Sequence, residues 1–282
     1  MRVISFINMK GGVGKTTLST NFCYNLAVRE SKNVLMIDMD PQFNATQCFF
    51  TGDEYMAYCQ KGNDTIVSLF QEEVLKVSTV GGTSSGSKKE YKDIKPYKYK
   101  ENLYILPGDL NLYKISMESG GGKEFRLKNY LEEIDKVYHF DYVVIDTPPT
   151  PSVWMTSALI ASTYYVVPVK PDPLSYTGVD LLRVVIDDKA NNYGLHLKCA
   201  GLVMTMVEQT TIVYKKAVEW VNNDPHWKHY LTSKSILKRT NIPKWQLSNT
   251  FINDIEDPDL RLGLSGIVNE IIDNIDNYEK AH

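Results

Sequence analysis

Met9-Lys10-Gly11-Gly12-Val13-Gly14-Lys15-Thr16-Thr17 decides how the rest of the chain is read. It follows a short apolar run, Arg2–Asn8. It opens a segment, from Lys15 to about Arg29, in which Leu18, Phe22 and Leu26 recur at helical spacing. A buried strand, a glycine-rich turn and a helix in that order match G-x-x-x-x-G-K-[ST], with Met9 or Lys10 standing where the first glycine would be. Glycines let successive backbone N–H groups converge on phosphate oxygens, and the helix N-terminus adds positive potential. Gly11, Gly12, Val13 and Gly14 then cradle phosphate and Lys15 supplies a point charge to the β- and γ-phosphates. The Thr16 hydroxyl is placed for Mg²⁺ and Thr17 for the α-phosphate.

Outward from this turn the same form repeats. Asn33–Asp38, Leu103–Leu106, Asp141–Asp146, Tyr164–Val169 and Cys199–Met204 read as buried strands. Tyr176–Ala190 and Thr211–Val221 read as helices. Short apolar runs alternating with helical stretches predict an α/β fold: a single doubly wound, mostly parallel sheet with helices on both faces. The whole chain, 1–282, reads as one such domain. One segment breaks the rhythm. Gly81–Ser87 has linker composition and runs into a lysine- and tyrosine-rich stretch, so 81–100 is expected to be a flexible surface excursion, either a solvated loop or an interaction element.

Acidic residues stand where such a sheet would use them. Ligands of doubly wound sheets bind at the carboxyl ends of the strands. Asp38-Met39-Asp40-Pro41-Gln42 closes the second strand, and Asp146 closes Tyr142-Val143-Val144-Ile145. Asp146 in this setting holds the Mg²⁺ shell through water, with Asp38 close to it, so that Thr16, Asp38 and Asp146 form the expected metal set. The chemistry implied is phosphoanhydride hydrolysis by positioning and electrostatics, without a covalent nucleophile. The five histidines show no metal-ligand spacing, and none of the four cysteines forms a C-x-x-C pair.

Lys10-Gly11-Gly12-Val13-Gly14-Lys15-Thr16-Thr17 resembles the deviant Walker A motif of the ParA/MinD family of ATPases. That resemblance implies ATP and Mg²⁺ as cofactors. It also implies that Lys10 reaches across a homodimer to the phosphates bound by the partner subunit, so that ATP closes two copies into a sandwich. Asp40 matches the family aspartate that positions the attacking water, and Thr147-Pro148-Pro149 resembles its second switch segment. Lys10, Lys15 and Asp40 are thus the expected catalytic residues. Pro168 and Asp172, with Thr205 and Met206, correspond to two family loops near the adenine. Both pairs could equally be ordinary strand-to-helix turns.

Composition excludes other classes. Hydrophobic residues make up 43% and charged residues 23%, which fits a globular chain rather than a disordered or fibrous one. No apolar stretch approaches the length needed to span a bilayer, and no signal peptide is evident, so a cytoplasmic protein is expected. The net charge of −3 argues mildly against nucleic acid, but the charge is unevenly spread. From Thr210 to Trp245 there are seven basic residues and two acidic ones; from Gln246 to His282 there are two basic and eight acidic. The first band suggests salt-dependent, sequence-independent DNA binding through Lys215, Lys216, Lys238, Arg239 and Lys244. The acidic C-terminal segment disfavours the membrane-binding helix of the MinD branch and reads as a helix docked on the core.

With no extension ahead of the first strand, the resemblance is to short ParA partition proteins. It implies ATP-dependent DNA binding, association with the nucleoid and hydrolysis stimulated by a ParB-like adaptor. Two other readings stay open at this level: an ATPase positioning a non-DNA cargo, or a P-loop metabolic ligase activating a carboxylate.

Overall fold

The computed structural model describes residues 1–70, 89–117, 121–172 and 175–281. Strands β1 (Arg2–Phe6), β2 (Val34–Asp38), β3 (Tyr97–Lys100), β4 (Leu103–Leu106), β5 (Tyr142–Asp146), β6 (Tyr164–Val169) and β7 (Lys198–Met204) form one sheet. Its order is β3-β4-β2-β5-β1-β6-β7, with every pairing parallel except β3–β4. The expected mostly parallel doubly wound sheet is therefore what the chain forms. β5 sits between β1 and β2 in shared register: Phe6 and Asp38 both lie beside Asp146. The motif-bearing strand ends consequently meet at one edge.

Period-two alternation fixes the two faces. Val34 and Met36 of β2 enter one core, and Leu35 and Ile37 enter the other. Helices α1 (Lys15–Val28) and α10 (Pro258–Ala281) cover the first face. α10 buries Leu260, Leu264, Ile267, Val268, Ile271 and Ile275, a stripe at helical spacing. Each such side chain contributes about 1.5–3 kcal/mol of burial. The acidic C-terminal segment is thus a core helix. On the opposite face α5 (Arg126–Tyr138) buries Leu127, Tyr130, Leu131 and Ile134 and packs with α6 (Val153–Ala161). Helices α7 (Ser175–Tyr193) and α8 (Ile212–Asn223) cover the β6–β7 side. Shorter helices are α2 (Asn44–Gln47), α3 (Gly52–Gln60), α4 (Leu112–Met117) and α9 (Ile242–Leu247).

The expected excursion at 81–100 divides. Residues 81–88 lie outside the described residues. The remainder is built into the fold: Lys89 forms an ion pair with the buried Asp64 at 2.7 Å, and Tyr97–Lys100 is the antiparallel edge strand β3. Here the reading as a flexible surface excursion is corrected. The Tyr-Lys-Tyr-Lys alternation places Tyr99 against the core and Tyr97 on the Phe50–Tyr58 aromatic cluster, while lysines face outward along an edge. Linker-like composition upstream obscured that pattern.

Candidate nucleotide site

The turn after β1 adopts the conformation its glycines permit. Gly12 and Gly14 have φ of 69° and 76°, left-handed values costly for other residues. Gly14 is also the residue that starts α1. Three bonds brace the turn, two of them to other strands and one within the turn itself. The Thr205 hydroxyl, just past β7, donates to the Val13 carbonyl at 2.5 Å. Asn8 Nδ2 donates to the Pro168 carbonyl at 2.6 Å, and Asn8 Oδ1 accepts the Lys10 N–H at 2.8 Å. Pro168 therefore supports the turn from within β6, and its side chain is not among those lining the cleft.

A cleft of about 550 Å³ opens over this turn. Lys10 to Thr17 form its floor, and Asp40, Gln42, Gln47, Pro149 and Met206 are among its walls. Lys15 is buried, and its ammonium donates to the Thr147 carbonyl. The Thr16 hydroxyl donates to Asp146 Oδ2 at 2.7 Å, and Ser19 donates to Asp146 Oδ1 at 3.1 Å. Burial raises the Asp146 pKa, against the pull of the nearby Lys15 cation. Asp40 lines the cleft, and its carboxylate accepts the Gln42 N–H at 3.0 Å.

Asp38 is fully buried, and its carboxylate is engaged within the protein. Oδ2 accepts both the N–H and the hydroxyl of Thr46, each at 2.8 Å, and Oδ1 accepts the Asp40 N–H at 3.2 Å. Burial, with Asp146 beside it, pushes the Asp38 carboxyl up to about 8. Asp38 thus clasps the segment that carries Asp40. That segment is strained: Phe43 has φ of 43°, unusual for an aromatic residue, and is held by stacking on Tyr55 at 5.3 Å between ring centroids.

The donor set suits a Mg²⁺–nucleotide. Converging backbone N–H groups and a buried ammonium match a polyphosphate, and a hydroxyl beside a carboxylate matches a hard cation that keeps most of its waters. Among the described residues no cluster of three or more His, Cys, Asp or Glu could hold a metal unaided, so phosphate oxygens would complete the shell. Mg²⁺ there would neutralise developing phosphate charge. A second, smaller cavity of about 170 Å³ adjoins Gly14. It is lined mainly by apolar groups, among them Leu18, Met206, Ile236, Ile242 and Pro243, with Thr205 also present. A flat base fits this setting.

Apart from Asp38, clasped by Thr46, and Pro168, which supports the turn, the sequence-predicted residues fall into three groups. Gly11–Thr17, Lys10, Asp40, Asp146, Thr205 and Met206 converge on the two cavities or directly beneath them. Asp172 does not line either cavity; its carboxylate binds the Lys10 ammonium at 2.5 and 2.6 Å. The basic band is split. Lys215, Lys216 and Lys244 are exposed. Lys238 pairs with Glu208, and Arg239 donates to Asp257 at 2.7 Å with Asp259 at 3.8 Å. The acidic segment that seemed separate in sequence folds back onto the band and offsets part of it. Sequence reasoning missed Gln47, Cys48, Pro243, Gln246 and Leu247 as cleft residues. They carry no local motif: Gln47 and Cys48 come from the end of α2, and Pro243, Gln246 and Leu247 arrive through the packing of α9.

Comparison with known proteins agrees with this geometry. A family model described as an AAA domain matches residues 1–198. The sporulation initiation inhibitor protein Soj of Bacillus subtilis is 30% identical over 234 residues, covering 82% of this chain and 83% of Soj. A plasmid partition protein of Borrelia burgdorferi bound to AMPPNP superposes with a TM-score of 0.74 at 22% identity, covering 96% of this chain and 98% of the other. Apo McdA of Cyanothece gives 0.78 at 18% identity, covering 96% and 99%. With the P-loop, its acidic partners and this sheet order in place, the chain belongs to the ParA family of P-loop ATPases.

Proposed function

We propose that this protein is a partition ATPase whose nucleotide cycle controls a homodimer. ATP with Mg²⁺ occupies the cleft, two copies close face to face, and Lys10 of each reaches the phosphates bound by the other. Asp40 orients the attacking water. The dimer binds DNA without sequence preference through Lys215, Lys216 and Lys244, and a ParB-like adaptor stimulates hydrolysis and release.

The observation that carries this reading is the convergence of Lys15, the Thr16–Asp146 pair and Asp40 on one cleft with Lys10 at its floor. Lys10 is only half-buried, and its partner Asp172 is a carboxylate, so the ammonium can exchange one anion for another. A similar protein of Myxococcus xanthus, named chromosome partitioning protein ParA and 27% identical over 222 residues, supports the cargo. Exposed lysines would give non-specific, salt-sensitive affinity.

The test is sedimentation of the protein with ATP and with ADP, with and without random duplex DNA at two salt concentrations. The expected result is a dimer with ATP alone, which binds DNA and releases it at higher salt. An ATP-dependent dimer that ignores DNA even at low salt would redirect the reading to a non-DNA cargo. A carboxylate-dependent ATP turnover without dimerisation would redirect it to a ligase.

A further inference from the structure

The hydroxyls of three neighbouring threonines on α1 are used differently. Thr16 donates to Asp146, and Thr20 donates to the Thr16 carbonyl at 2.7 Å. The Thr17 hydroxyl donates to none of the described residues. It only accepts, from Gln246 Nε2 at 3.1 Å. Thr17 lines both the main cleft and the smaller apolar cavity, and so does Gln246. The pair therefore stands where the two spaces meet.

Gln246 is itself held. Its Nε2 also approaches Cys48 Sγ at 3.7 Å, so both amide hydrogens have an acceptor. Three residues on, Asn249 Nδ2 donates to the Gln47 carbonyl at 3.2 Å. These bonds fasten the end of α9 to the segment that follows Asp40. A hydroxyl has one proton and two acceptor lone pairs. With Gln246 donating to one lone pair and no described residue accepting the Thr17 proton, that proton is left for an acceptor in the cleft.

We infer that Gln246 is a positioning residue for the nucleotide. It orients the Thr17 hydroxyl so that its proton is donated to an anionic oxygen of the nucleoside phosphate at the junction of the phosphate and base cavities. The inference rests on the nucleotide reading given above, and it adds a residue from α9, outside the P-loop. In this role Gln246 acts through Thr17.

The experiment measures the affinity of the full chain for a fluorescent ADP with Mg²⁺. The variants are Gln246→Leu, Gln246→Glu, Thr17→Val, and Gln246→Leu combined with Thr17→Val. Thermal melting of each is followed alongside. Gln246→Leu is expected to weaken binding about fivefold and Thr17→Val about tenfold, as the loss of one or two hydrogen bonds implies. The double variant is expected to match Thr17→Val within about twofold, because the two residues act in series. Gln246→Glu is expected to bind more weakly than Gln246→Leu, since a carboxylate takes the Thr17 proton for itself and repels phosphate. Melting temperatures stay near that of the parent.

Wild-type affinity in Gln246→Leu, multiplied losses in the double variant, or a Gln246→Glu protein binding as well as Gln246→Leu would each overturn the inference. Lys15→Ala separates the two levels. If the parent binds ADP and Lys15→Ala does not, the nucleotide reading stands whatever Gln246 does. If the parent does not bind, both readings fall together.

Discussion

The Thr16 hydroxyl lies 2.7 Å from Asp146 Oδ2, joining two residues 130 positions apart at adjacent strand ends. The bond exists because β1 and β5 are parallel neighbours in register, with Phe6 beside Asp146. It places the helix start after one strand against the terminal carboxylate of the next. The same register sets Asp38 beside Asp146, with Asp40 two residues further along the chain.

Lys15 is buried, and among the described residues its ammonium is hydrogen-bonded only to a backbone carbonyl, so its charge is directed to the cleft. Lys15→Ala is expected to weaken ATP and ADP binding by about 100-fold or more. Titration calorimetry checks this.

Asp40 lines the cleft, while the neighbouring Asp38 is engaged by Thr46. Asp40→Ala is expected to lower ATP turnover by about 10²–10³-fold while leaving ATP-dependent dimerisation intact. Phosphate release and sedimentation with ATP are the paired measurements. A protein that stays monomeric with ATP would contradict the assignment.

Asp38 sets a pH dependence. Its folded carboxyl titrates near 8, raised by burial, whereas the unfolded group titrates near the ordinary value of about 4. Between those values the folded state holds a proton that the unfolded state has lost. Stability of the nucleotide-free protein therefore falls as pH rises from about 4 to about 8, by up to about 1.4 kcal/mol per unit. Urea unfolding between pH 5 and 8 reads this slope, and Asp38→Asn is expected to flatten it.

Gly108 allows the Asp38 clasp to close. A Cβ there would lie 2.8 Å from Phe43 Cβ and 2.9 Å from Asp38 Cγ. Its N–H also donates to the Thr46 hydroxyl at 2.7 Å. Gly108→Ala is expected to destabilise the fold by about 1–3 kcal/mol and to lower ATP turnover by displacing the segment that carries Asp40. Denaturant midpoint and turnover are measured together.

For DNA, the exposed lysines and the ion-paired residues make opposite forecasts. Replacing Lys215, Lys216 and Lys244 by Gln is expected to lower the salt slope of binding by about 0.9 for each phosphate that is no longer neutralised. Arg239→Ala, which breaks the bond to Asp257, is expected to change stability more than that slope. Fluorescence anisotropy across a salt series distinguishes them.

What the sequence determined was local. Apolar runs of strand length, a glycine-rich turn between a strand and a helix, and carboxylates at strand ends are contiguous patterns, so Gly11–Thr17, Asp40 and Asp146 could be singled out as candidates without a partner in view. Tertiary structure decided what depends on distant residues meeting. The −3 net charge and its apparent division into a basic band and an acidic segment looked decisive in one dimension, yet Arg239 is neutralised by Asp257 once α10 docks. Asp172 serves Lys10 because the turn after β6 lies beside the turn after β1. Gln246 reaches Thr17 across 229 positions. Periodicity records which side of an element is buried, but carries nothing about which remote side chain is brought against it.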